Sequence, residues 1–203
     1  MVRLKCFHGT SIKNGQSIIQ ENHFRVSDSQ SLRMGVGAYF FCQAGESSEY
    51  PIRCARELER YHYSKGKHQD GYMILSCDVE CAEENFLDLY SPEALEFFHF
   101  MRYAVLDKSL TVDPNYKYLN SAVADTQVFD IIRKIRGLSV IRCPQYFGML
   151  ESEQKFMFSE GRQFPKTYVP NVIMACVDTN HAVVKNIQVV ERSVYTDGYA
   201  GII

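Results

Sequence analysis

The chain has 203 residues, 46% hydrophobic and 23% charged, and its 22 Lys and Arg against 24 Asp and Glu leave a formal charge of -2. This is the composition of a folded globular protein, and its near-neutrality excludes a broad basic field that would coat nucleic acid or an anionic membrane. Seven cysteines at irregular spacing make no disulfide framework, and the apolar runs fall well short of the ~18 residues that suggest a membrane span.

In chain order, Met1-Val2-Arg3-Leu4-Lys5 leads into no long apolar stretch, so no signal peptide is expected. Val2 to Phe7 sets Val, Leu and Cys against Arg and Lys, the pattern of a half-buried strand. Asn14 is placed to cap a short helix over Gly15 to Glu21 that buries Ile18 and Ile19. Tyr39 to Cys42 reads as a short buried strand. Ile52 to Tyr63 reads as a helix with Ile52, Ala55 and Leu58 on one face and Arg53 four residues from Glu57. Tyr72 to Val79 is rich in strand formers. Ser91-Pro92-Glu93 supplies a capping hydroxyl, a first-turn Pro and an acid, which predicts a helix burying Leu95, Phe98, the stem of Arg102 and Val105. Val128, Ile131, Ile132 and Ile135 repeat at helical spacing, and Gly137 closes that helix as a C-terminal cap. Val172 to Val177 and Ile187 to Val190 are predicted strands. No linker or repeat interrupts the chain, so a single α+β domain over residues 1–203, soluble and cytoplasmic, is expected.

The chemistry is concentrated in the first quarter. Lys5-Cys6-Phe7 runs directly into His8-Gly9-Thr10, followed by a short helix, Arg25 in a polar loop, and Gly35-Val36-Gly37-Ala38-Tyr39-Phe40-Phe41. Ser47 and Tyr50 then follow Tyr39 by eight and eleven residues. This order resembles the catalytic half of the diphtheria-toxin-like ADP-ribosyltransferases, the group that includes the poly(ADP-ribose) polymerases. Their first motif is a strand ending in His-Gly-Ser/Thr, and their second is a Gly-x-Gly-x-Tyr-Phe strand with Ser and Tyr at those same two spacings. The resemblance implies split antiparallel sheets around a central NAD cleft with flanking helices. It also implies NAD+ as co-substrate and His8, Gly9, Thr10, Arg25, Gly37, Tyr39, Phe40, Ser47 and Tyr50 as site residues.

Cleavage of the nicotinamide–ribose bond passes through an oxocarbenium-like state, so the leaving ring must be gripped and the ribose held in pose. By the resemblance, Tyr39 and Tyr50 are aromatic walls for the ring, Gly9 offers its backbone to the carboxamide, and Ser47 adds a hydroxyl. His8 bonds a ribose hydroxyl on the adenosine side, and Arg25 meets the pyrophosphate or the adenine edge. Outside that likeness each has a plainer role: His8 as a strand-end cap, Tyr39 as strand core, Ser47 in the helix-cap sequence Glu46-Ser47-Ser48-Glu49, and Arg25 as a solvated loop residue.

The third motif breaks the pattern. Family members begin a late strand with Glu, or Gln in some relatives, whose side chain stabilises the developing positive charge. Here that position falls on Ile173 or Met174, depending on register. Relatives without the acid transfer single ADP-ribose units or lose activity. A substitute acid is expected from Glu160, in Phe158-Ser159-Glu160-Gly161, or from Glu151 and Glu153 in Glu151-Ser152-Glu153-Gln154.

The expectation is a mono-ADP-ribosyltransferase acting on an intracellular protein or nucleic acid, of a bacterial toxin or phage-defence type, with an antitoxin or inhibitor protein as a candidate partner and no membrane. Two alternatives stand beside it: an NAD-dependent RNA 2'-phosphotransferase, and a catalytically weak module that binds NAD or ADP-ribose. No metal is expected, because Cys77 and Cys81 with His62, His68 or His99 lack the paired spacing of a zinc site. Lys65 to His68, beside Tyr61 and Tyr63, reads as a small basic patch at a solvated helix end.

Overall fold

The computed structural model describes residues 1–26, 34–112, 121–145, 172–196 and 199–202. Its elements run β1 (Val2–Ser11), α1 (Ile12–Glu21), β2 (Ala38–Cys42), α2 (Glu49–Ser64), β3 (Tyr72–Cys81), β4 (Phe86–Asp88), α3 (Pro92–Val112), α4 (Ser121–Arg136), β5 (Val140–Gln145), β6 (Val172–Val177), β7 (Val183–Thr196) and β8 (Tyr199–Ile202). The fold is α+β. The strands form one mixed sheet in the order β4-β5-β6-β2-β1-β3-β7-β8, antiparallel at every junction except β4–β5.

Alternation along the strands builds a core on each face of this sheet. Phe7, Phe41, Tyr72, Ile74, Met174 and Cys176 face one side with Ala55 of α2, Phe98 of α3 and Val128, Phe129 and Ile132 of α4. Leu4, Cys6, Phe40, Leu75, Cys77, Ala175 and Val177 face the other side with Ile12 of α1. Both faces are thereby covered, which explains why β3 and β6 read as nearly continuous apolar runs.

The expected pair of split sheets is instead a single ladder, but its two halves touch lightly. β1 pairs with β3 along all ten of its residues. It pairs with β2 only at Cys6↔Cys42 and Phe7↔Phe41. Beyond Phe7 the strands part, while on its other edge β2 stays paired with β6 from Ala38 to Phe41. The fork in the sheet therefore opens where His8-Gly9-Thr10 begins.

Several local expectations shift for identifiable reasons. Ser11, not Asn14, caps α1: its Oγ accepts from the Asn14 backbone N–H at 3.2 Å, so the helix starts earlier and buries Ile12 and Gly15 while Ile19 stays exposed. In α3 the packed stripe is Ala94, Phe97, Phe98, Met101 and Val105, which leaves Leu95 exposed. That helix is apolar on several sides, with Phe100 and Tyr103 also exposed, so composition could not choose its buried face. Arg102 reaches Asp125 of α4 at 2.8 Å. In α4, Val128 and Ile132 are buried but Ile135 is exposed, because Gly137 (φ +63) ends the helix as predicted and Leu138 takes the next core place.

Two motif glycines are required by close packing. A Cβ on Gly9 would stand 2.9 Å from the Ala55 carbonyl oxygen and 2.9 Å from Glu59 Cγ, so α2 rests directly on β1. A Cβ on Gly37 would stand 2.4 Å from Cys176 Sγ, where β2 enters against β6. Gly9→Ala must push helix backbone away, and it is expected to cost about 1–3 kcal/mol in urea denaturation. Unchanged stability would show that α2 is free to move.

Candidate functional site

His8 lies on β1 at the fork. Its Nδ1 is 2.7 Å from the Tyr39 carbonyl oxygen, so the imidazole spans the gap where a backbone rung would otherwise join β1 to β2. A carbonyl only accepts, hence Nδ1 carries the hydrogen. Burial lowers the His8 pKa, and the bond to Tyr39 and the Glu59 charge offset this only partly. The ring is therefore neutral near pH 7 and its Nε2 is a lone-pair acceptor, the form suited to receiving a sugar hydroxyl. Phe24 and Phe40 pack against it as a pair, with ring centroids at 5.3 and 5.6 Å from the imidazole and 4.8 Å from each other.

Tyr39 packs on the opposite face of the sheet. Its hydroxyl accepts from the Met34 N–H at 2.9 Å and donates to the Gly35 carbonyl at 2.8 Å, tying down the turn that enters β2. Burial raises its pKa far above the ordinary phenol range. The hydroxyl is committed to the backbone, so only the ring of Tyr39 is available to a ligand.

A cavity of about 270 Å³ opens at the other end of β2, lined by Cys42, Ala44, Gly45, Ser47, Tyr50, Pro51, Tyr90, Val172 and Ile173. Small-molecule pockets commonly run roughly 300–1,000 Å³, so this one suits a single ring or one end of a longer ligand. The loop leading to it is shaped by the Gln43 side-chain amide, which donates to the carbonyls of Gly45 and Glu46 at 2.7 and 2.9 Å. Ser47 Oγ accepts from the Glu49 N–H at 3.2 Å at the start of α2. Tyr50 is 43% exposed and carries the Arg53 guanidinium 5.2 Å from its ring centroid, so one ring face is backed by a cation. Tyr90 is flanked similarly by Arg142, which is paired with Asp88. Among the described lining residues there is no carboxylate.

The sequence-predicted residues thus divide into groups. Ser47, Tyr50 and Ile173 share the cavity. Ile173 lines the cavity, whereas Met174 is buried between Phe41 and Cys143 of the adjacent strands. His8, Phe40 and the backbone of Tyr39 cluster at the fork, with Gly9 and buried Thr10 following on β1. Arg25 stands apart from the cavity lining, exposed beyond α1, and its guanidinium bonds Glu21 at 2.8 Å. Glu151, Glu153 and Glu160 lie outside the described residues.

One polar cluster was not anticipated. Glu59, wholly buried beneath Gly9, faces His62 and His68. Near it Tyr63 stacks on Tyr195 with centroids 3.8 Å apart, and Glu191 receives both the Arg56 guanidinium and the Tyr72 hydroxyl. The spacing Glu59-x-x-His62 was the available signal, but an acid in an amphipathic helix ordinarily belongs to its wet face. Cys77 and Cys81, which lack zinc spacing with these histidines in the sequence, do not join the cluster. Cys77 instead points into the opposite core.

Among curated proteins the chain is similar to an uncharacterized protein of the archaeon Methanocaldococcus jannaschii, 22% identical over 199 residues that cover 92% of this chain and 87% of that one. No protein-family model matches the chain, and no solved structure matches it. No helix among the described residues is long and apolar enough to cross a membrane.

Proposed function

We propose that the chain is a mono-ADP-ribosyltransferase of the diphtheria-toxin-like type, taking ADP-ribose from NAD+ and transferring it to an intracellular protein or nucleic acid. The observation that supports this is the adjacency of three motif strands far apart in sequence: β6, β2 and β1 lie side by side, with Ser47, Tyr50 and Ile173 around one cavity. In this reading the nicotinamide ring enters against Tyr50 with Ser47 at its carboxamide, and His8 Nε2 accepts a ribose hydroxyl at the fork. The glycosidic C–N bond breaks with its electron pair leaving on the nicotinamide nitrogen, which becomes neutral. A lone pair of the acceptor forms the new bond to the anomeric carbon, and the acceptor gives up its proton. The described lining residues suit the departing flat ring; they supply no negative charge for the ribose cation, a role left to Glu160, Glu153 or Glu151.

A second reading draws on Ile173 and Met174, the two apolar residues onto which the resemblance puts the family's acid: a module that binds NAD+ and turns it over slowly. Incubation of the purified protein with labelled NAD+ and cell lysate separates the two. Label on macromolecules with release of nicotinamide, reduced about tenfold or more by Tyr50→Ala, is the expected result. Saturable NAD+ binding with no nicotinamide release selects the binding module, and absence of both removes the proposal. Nuclease and protease digestion of labelled products then identifies the acceptor class.

A further inference from the structure

We infer that Glu59, His62 and His68 form a binding site for a zinc-class divalent cation, with its fourth coordination position open to water. This does not depend on the ADP-ribosyl reading. Glu59 and His62 lie three residues apart on one side of α2 near its C-terminal end, and His68 returns from the following loop. Their ligand atoms all fall within 4.8 Å of one another. Two imidazole nitrogens and one carboxylate oxygen are a donor set that zinc favours where one position remains for solvent.

The interior arrangement supports the same conclusion. Burying a carboxylate completely is costly unless both oxygens find partners. Glu59 is 0% exposed, and its Oε2 meets His68 Nδ1. Its Oε1 has no hydrogen bond, and neither does buried His62 Nδ1, although the two atoms face each other at 3.4 Å. An acceptor and a ring nitrogen held at that separation without bonding match the edge of a tetrahedron around an ion with bonds of roughly 2.0–2.1 Å. The two imidazoles also stand edge to face with centroids 4.9 Å apart.

His68 enters through a left-handed backbone conformation (φ +52) that a residue with a side chain seldom adopts, so the loop is held in the form that delivers it. The side chains of His62 and His68 are 29% and 24% exposed, which gives solvent and metal a route to the site. An ion here would tie the end of α2 and the following loop together directly beneath Gly9.

The test uses full-length protein stripped with chelator and titrated with cobalt(II), followed by zinc. Saturation at one equivalent with the intense visible bands of four-coordinate cobalt(II), displacement by zinc, and a thermal midpoint raised by zinc are expected. His62→Ala and His68→Ala, both at partly exposed positions, should each weaken binding more than tenfold and remove the thermal shift, while Cys77→Ser should retain both. Absence of saturable binding by the wild-type protein overturns the site whatever the variants do. Wild-type affinity preserved in a folded His62→Ala or His68→Ala protein, or lost only with Cys77→Ser, overturns it as well.

Discussion

His8→Ala is expected to lower nicotinamide release by about 100-fold or more while leaving the protein folded. The ring has two tasks at one position. Its Nδ1–H bonds the Tyr39 carbonyl across the fork, and its Nε2 remains an acceptor. Alanine removes the side-chain link between β1 and β2 as well as the proposed contact to a ribose hydroxyl, so under that proposal both the pose of the substrate and the strands that set it are released. Misplacement of reacting groups by an ångström costs on the order of 100-fold. The stability loss is smaller, about 1 kcal/mol for one hydrogen bond, because β1 keeps its full ladder with β3. Steady-state nicotinamide release and urea denaturation measure the two separately, and near-wild-type turnover would remove His8 from the site. The pH profile adds a second check. Burial lowers the His8 pKa, so the acceptor form persists through the ordinary imidazole range near 6.5 and is lost only as pH falls below it. A loss of activity starting above that range would be inconsistent with this assignment.

What was legible in the sequence was what local pattern encodes. Alternation located β1, and β-branched and aromatic runs located β2, β3 and β6. Gly137 marked the end of α4 because only a left-handed residue fits there. The helix faces were less legible. Leu95 and Ile135 occupy helical positions that satisfy a period of 3.6, yet the neighbouring stripe packs and they do not. In a helix that is apolar on several sides, the buried face is chosen by the sheet it meets, and that is a long-range fact. Asn14 and Ser11 both offer good capping groups, and the strand's end decided between them.

The site divides on the same line. Spacing along the chain brought Ser47 and Tyr50 together, since both stand within one loop and one helical turn. Register between β2 and β6 sets Ile173 at the cavity and Met174 in the core, and no single-strand pattern contains that information. The patch read as basic and solvated, Lys65 to His68, turns out to be two-sided: His68 bends inward to Glu59, and Tyr63 lies on Tyr195. A buried carboxylate with two histidines is recognisable only after α2 has been laid on β1, because its burial comes from Gly9 having no side chain.

Ile173→Glu is expected to raise nicotinamide release by tenfold or more. Ile173 lines the cavity that also holds Ser47 and Tyr50, on the strand adjacent to β2, so under the proposed function an acid there would face the ribose. Among the described residues the lining offers hydroxyl, thiol, aromatic and aliphatic groups but no negative charge. A carboxylate aimed at the ribose meets its positive charge chiefly in the transition state, the condition under which an electrostatic group raises turnover rather than affinity. A single well-placed polar group in such sites is worth about 2.7–4 kcal/mol, equivalent to roughly 100- to 1,000-fold; tenfold allows for a side chain that was not built for the position. Ile173 is only partly buried, so the new carboxylate can remain hydrated at the cavity mouth and the cost to folding stays modest. Ile173→Gln carries the same shape without the charge and should leave the rate near wild type. A Gln variant as active as the Glu variant would show that volume or hydrogen bonding, not charge, limits the reaction. No gain from Glu, with NAD+ binding intact, would mean that the reacting carbon does not pass this strand or that an acid such as Glu160 already serves it. Glu160→Gln in the same assay distinguishes these, since it abolishes turnover only in the second case.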